Sequence, residues 1–193
     1  MMTTVNLKYD RVHYNEFLSQ IKNDTISLAQ VPLHMITAEM CLVAVRINGY
    51  DLQYTPMTFR TYRLCMAAVR RHGEALEFVP DNKKTEEMCI IAMSTYPMAF
   101  YNIPKSLITY KVIKAAVTRC GMLLKNMTNE QKTFTVCLAA VNQDPDACQY
   151  VPDEVKIMNE FEICRVVLLK STSYTKYIST EIMKTYFTYT IRK

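Results

Sequence analysis

Apolar side chains return three and four residues apart in stretches of about eleven residues that hold neither Gly nor Pro, as Met88, Cys89, Ala92 and Met93 do. That spacing places them on one face of an α-helix. Each stretch follows a threonine, Thr37, Thr61, Thr85, Thr109 or Thr133. A threonine there is the natural N-cap, because its hydroxyl accepts a hydrogen bond from an otherwise unpaired amide of the first turn. Glu39, Glu86 and Glu87 then fall where the positive end of the helix favours an anion. The helix is expected to stop at Gly49, Gly73 and Gly121, through a left-handed C-cap, or at Pro97 and Pro145 in the same column. A second short segment follows at 51–55, 75–79, 99–103, 123–127 and 147–151. It carries a large apolar residue in the column of Leu28, Leu52, Leu76, Phe100 and Leu124, and an aromatic in the column of Tyr54, Phe78, Tyr150 and Tyr177. The pattern predicts a short helix or turn lying across its neighbour.

The helical stretches recur with a fixed period of 24 residues. Prolines mark it at Pro32, Pro56, Pro80, Pro104 and Pro152, cysteines at Cys41, Cys65, Cys89 and Cys137, and alanines at Ala44, Ala68, Ala92, Ala116 and Ala140. Several columns sharing one register identify a repeat protein. Residues 1–13 read as an N-terminal cap, 14–157 as six repeats of 24 residues, and 158–193 as a degenerate repeat with a C-terminal cap. In that last copy the register is recovered at Phe161 after three extra residues, with Cys164 in the cysteine column. Short helix pairs of this kind cannot bury their apolar faces alone, so stacking must make one continuous core. The expected fold is an all-α helical-repeat solenoid forming a single domain, with the alanine column where backbones approach most closely.

Composition adds limits rather than a function. At 193 residues and 50% apolar the chain can build a real core. It has no run of 18 apolar residues and no signal-peptide succession, which predicts a soluble protein of the cytoplasm or a host cytosol and no membrane partner. Seven cysteines without a C-x-x-C, most of them on the helix faces to be buried, read as small hydrophobes in a reducing compartment rather than disulfide or zinc ligands. His13, His34 and His72 share no column. No Gly-rich phosphate loop, nucleophile elbow or H-E-x-x-H is present, so no catalytic, metal or cofactor site is assigned and the expectation is a protein that is not an enzyme. The net charge of +5 lies wholly in residues 97–193. There an acidic block, Asp144 to Glu162, adjoins a basic one running from Arg165 to Lys193.

Two features are candidates for binding. The first is a row of polar and basic residues near the ends of successive helices, Lys22, Arg46, Arg70 with Arg71, Thr118 with Arg119, and Asn142 with Gln143, interrupted at Ser94. It could track phosphates or an acidic partner. Cations near a helix C-terminus are also favoured by the dipole alone, and the row reads first as solvated surface. The second is the C-terminal segment, where Tyr174, Tyr177, Tyr186, Phe187 and Tyr189 are interspersed with Lys176, Lys184 and Arg192. Stacking aromatics among cations suit single-stranded nucleic acid. The alternative is a terminal cap covering the last apolar face.

The string A-V-x-x-x-G-x-x-L-x-x-V-P with K-T and a following cysteine, at 68–89 and echoed at 44–56 and 140–152, resembles the short helical repeat known as domain of unknown function four-one-one-six. The resemblance spans roughly 14–185, with departures at Thr128, Ile113 and the insertion before Phe161. It implies an origin among large viruses, phages or intracellular bacteria, and an effector or inhibitor that binds a host protein. The sequence is therefore read as a protein-binding scaffold, with nucleic-acid binding as the second reading.

Overall fold

The computed structural model describes residues 4–191. Met1–Thr3 of the N-terminal cap, Arg192 and Lys193 of the basic block, and the side chains of residues 4–12 and Glu160 lie outside the described residues. The described residues are all-α and divide into two compact units, Met1–Leu107 and Ile108–Lys193. The first unit holds α1 (Thr4–Lys22), α2 (Ala38–Ile47), α3 (Tyr62–Arg71) and α4 (Glu86–Thr95). The second holds α5 (Tyr110–Arg119), α6 (Phe134–Gln143), α7 (Asp153–Lys156), α8 (Met158–Lys170) and α9 (Thr180–Ile191). In the first unit α1 packs on α2, α2 on α3 and α3 on α4, and in the second α5 packs on α6 and α6 on α8, a pattern compatible with a solenoid.

The threonine column starts its helices as expected. Thr37, Thr61, Thr85 and Thr109 accept from the third amide of their helices at 3.2 to 3.4 Å. Such a cap stabilises a helix by about 1 kcal/mol. Thr133 stands at the same place, but its hydroxyl turns to Thr135 at 3.3 Å and makes no cap bond. The cysteine and alanine columns are buried throughout. Burial pushes the Cys137 thiol up to about 12 and Cys89, Cys148 and Cys164 up to about 11, although neighbouring lysines oppose it. Protonated thiols of this kind are neither nucleophiles nor metal ligands.

Between the α-helices the chain forms 3₁₀ helices. The second segment is three residues long in the first repeat, Leu28–Gln30, and six residues long in the later ones, as at Gly49–Tyr54, Gly73–Phe78 and Gly121–Asn126. Runs this long are unusual for a 3₁₀ helix, whose own hydrogen bonds are poor. Burial of Leu52, Leu76 and Leu124 on them supplies what the hydrogen bonds do not. The aromatic column beside them is less buried, with Tyr54 exposed at the surface. A further 3₁₀ turn of three residues follows Pro32, Pro56 and Pro80, and the proline holds φ for its start.

The expected left-handed glycine C-caps do not occur: no glycine has positive φ. The α-helices end instead on extended residues, Asn48, His72 and Cys120, and the 3₁₀ helix begins at the glycine after them. Glycine is required there by close approach. A Cβ on Gly49 would lie 2.5 Å from the carbonyl oxygen of Ala68 in the next repeat, and Gly73 and Gly121 face Ala92 and Ala140 more closely still.

A column just before the capping threonines locks neighbouring repeats together. Arg60 donates to the carbonyls of Thr55 at 2.8 Å, Gln53 at 3.0 Å and, in the next repeat, Phe78 at 2.6 Å. Lys84, whose side chain is nearly buried, reaches Asn102 in the same way at 2.7 Å. Charge-assisted bonds to carbonyls pair cations that would otherwise be costly to bury. In the degenerate repeat the three extra residues are absorbed at the start of α8, where Asn159 and Phe161 take φ of 47° and 61°.

The close contact of glycine and alanine columns makes the junctions intolerant of volume. Ala92→Leu is expected to lower stability by roughly 1 to 3 kcal/mol through overpacking. Gly73→Ala should act in the same direction, since its new methyl meets the backbone of Ala92 as well as the Thr95 hydroxyl. Urea unfolding of both variants measures this, and an unchanged midpoint would contradict the close approach.

Candidate functional site: an arginine groove between α2 and α3

Helix α3 turns Leu64, Cys65, Ala68 and Val69 into the core. Its opposite face therefore carries Tyr62, Arg63, Ala67, Arg70 and Arg71, and these, with Met66 and with Arg46 from α2, line an open groove of about 510 Å³. No acidic side chain is among the residues lining it. The structure thus brings together three of the expected cations, Arg46, Arg70 and Arg71, each of them exposed.

These cations are not equivalent. Arg70 forms an ion pair with Glu87 at 3.9 Å, and Lys22 forms one with Glu39 at 3.9 Å. Both pairs are well exposed, so each is worth little. Arg71 donates from Nε to the carbonyl of Ile47 at 2.9 Å, closing the end of α2 from the next repeat. In the second unit Lys170 does the same for α6, donating to Asn142 at 2.6 Å. That is the role the helix dipole assigns to a terminal cation. Arg46 makes no hydrogen bond or ion pair with the described residues.

Sequence reasoning passed over Arg63. It is the second residue of α3, in the column of Glu39 and Glu87, where the helix dipole favours an anion and opposes a cation. A cation placed against the dipole, between the repeats that hold Glu39 and Glu87 in that column, is the signal that could have found it. Like Arg46, it has no hydrogen bond or ion pair among the described residues.

The remaining candidates lie in the second unit. Arg119 is exposed at the end of α5, and Lys184 is exposed on α9. Tyr174 stacks on Tyr177 with ring centroids 6.2 Å apart, and Lys176 sits 4.7 Å over the Tyr177 ring. The Tyr177 hydroxyl donates to Asp146 of the preceding repeat at 2.7 Å, and that bond raises its pKa. Tyr177 thus ties its repeat to the preceding one, with Tyr174 stacked on its ring. Among the described residues no group of three or more His, Cys, Asp or Glu is placed to hold a metal ion, and no helix is long and apolar enough to cross a membrane.

Behind the groove, His72 follows Arg71 and stacks on Tyr50 at 4.8 Å. Its Nδ1 accepts from the Gly49 amide at 2.9 Å. Burial, and then the charge of Arg71, lower its pKa. The neutral ring is thus the form that fits.

A family described as Domain of unknown function (DUF4116) has a model that matches residues 38–82 and 62–108. These are the repeats that build α2 to α4 and the groove. No curated protein and no solved structure matches the chain.

His72 ties stability to pH. Its folded pKa lies below its unfolded value of about 6.5, so its contribution is complete above that pH and is lost as pH falls toward the folded pKa. Melting temperature should drop on acidification below about pH 6.5. His72→Gln keeps an acceptor, as Gln143 provides for the Gly121 amide at 2.5 Å, and should flatten that part of the curve. An identical acid limb in the variant would remove His72 as its source.

Proposed function

Residues 38–108 carry the repeat of the DUF4116 family, and from that premise we propose that the chain is a non-enzymatic protein-binding scaffold that holds an acidic partner on the face of α2 and α3. The observation that carries this reading is the groove of four guanidinium groups, Arg46, Arg63, Arg70 and Arg71, with no carboxylate lining it. Arginine suits the purpose because its planar fork meets carboxylates in two parallel bonds. The core columns repeat while the surface columns differ from copy to copy, which is how a stack of one unit presents a particular face to a particular partner. In the setting that the family resemblance implies, that partner is a host protein and the chain acts as an effector or inhibitor in its cytosol.

Nucleic acid is the second reading, since the same guanidinium groups attract phosphate. It is weakened by the short extent of the free charge. Lys22 and Arg70 already face glutamates, Arg71 is bound to a carbonyl, and Ser94 follows in the row. A strand binder needs a continuous track of cations and free aromatic faces.

The two readings differ in their salt dependence. Anisotropy with random single-stranded and duplex oligonucleotides at about 150 mM salt, where the Debye length is about 8 Å, should give weak binding. Submicromolar binding there, with a log–log salt slope that flattens by roughly one unit per contact in the Arg70→Ala, Arg71→Ala double variant, would establish the nucleic-acid reading instead.

A further inference from the structure

We infer that the α2/α3 junction is a socket for a partner segment that offers a tyrosine-like ring beside a carboxylate. The inference rests on the protein-binding reading and names the chemistry of the partner. It comes from comparing three successive junctions of the first unit.

At the α1/α2 junction the Tyr14 hydroxyl donates to Glu39 at 2.8 Å, and Lys22 pairs with the same carboxylate. At the α3/α4 junction the same three columns act alike: Tyr62 donates to Glu87 at 3.3 Å, and Arg70 pairs with Glu87. The junction between them keeps the cation, Arg46, and changes both other columns. Ala38 stands in the tyrosine column and Arg63 in the glutamate column. Where its neighbours close themselves with a ring and a carboxylate, this junction has neither.

Both losses leave space. Beside Ala38 is a hollow of about 180 Å³ lined by Leu42, Phe59 and Leu64, with Thr58, Thr61 and Arg63 completing it. Where the carboxylate would stand, Arg46 and Arg63 share the larger groove with Arg70 and Arg71. Arg63 lines both spaces, so hollow and groove adjoin at its side chain. Two like charges brought to one groove repel unless an anion joins them. A segment that places a ring in the hollow and a carboxylate between Arg46 and Arg63 supplies to this junction what Tyr14 and Glu39, or Tyr62 and Glu87, supply to the others.

The chain's own chemistry provides the control. The double variant Ala38→Tyr, Arg63→Glu gives this junction the residues of its neighbours, and so should fill the socket while keeping the fold. The whole chain is applied to a peptide array in which tyrosine and glutamate are set at varied spacings in a Ser/Gly frame. Peptides carrying both residues should retain at least about tenfold more protein than those with Tyr→Ser or Glu→Gln, a difference of about 1.4 kcal/mol. The double variant should lose this retention at an unchanged or higher melting temperature. Retention that ignores either residue, retention that survives in the double variant, or no retention on any peptide would each overturn the inference while leaving the broader protein-binding reading to its own test. Tight binding of the oligonucleotides at physiological salt would overturn both.

Discussion

Backbone meets backbone at the repeat junctions, where a glycine at the start of one 3₁₀ helix lies against the carbonyl of an alanine in the next repeat, at Gly49 and Ala68, Gly73 and Ala92, and Gly121 and Ala140. A Cβ at any of these three glycines would collide with that carbonyl, although proline stands in the same column at Pro97 and Pro145. The rest of each unit is arranged around that approach. A buried alanine stands on the inner face of each helix from α2 to α6, with cysteine beside it in all but α5, and larger side chains of the α-helices and 3₁₀ segments fill the space around them. The amides and carbonyls drawn together there need partners, because a buried polar backbone group left unpaired is costly. His72 and Gln143 accept from glycine amides, while Arg60 and Lys84 donate to carbonyls of the following repeat.

Such a core leaves little freedom for chemistry inside. Its thiols are held protonated by burial, and no buried side-chain polar atom among the described residues lacks a partner. Even Asp51, buried in a column that holds Ala75, Ala99, Leu123 and Ala147 in later repeats, accepts from Ser27 at 2.8 Å. Burial raises its pKa and that hydrogen bond opposes the rise, which marks a structural tie between repeats rather than a free acid. Variation is left to the outer face, where a change costs little stability.

On that face the first unit alternates. Two junctions close with a tyrosine, a cation and a glutamate, and the one between them is opened by Ala38 and Arg63. The difference is two side chains on an unchanged scaffold. A repeat fold lets one junction acquire a binding surface while its neighbours keep the plain version, because each junction depends mainly on the two repeats that form it.

The period, the threonine caps, the helical class and the buried cysteine and alanine columns were all legible in the sequence, because each follows from local rules repeated in register. Arg46, Arg70 and Arg71 were legible as a row for the same reason. The role of the glycines was not. A glycine after a helix usually serves a left-handed turn, and only the packed neighbour shows that here it makes room for a carbonyl. Arg63 was missed because its importance lies in what faces it. Its column mixes glutamate, arginine, lysine and threonine from Glu39 to Thr135, and that mixture gains meaning only when α2 and α3 bring Arg63 and Arg46 to one groove. Tyr177 of the C-terminal segment, legible as an aromatic among cations, is tied to the preceding repeat by a hydrogen bond to Asp146, 31 residues away in the chain. Sequence determined the repeating unit, since that is set by bonds and burial within about one period; which side chains meet across junctions was decided by tertiary packing, since that pairing joins positions no local rule connects.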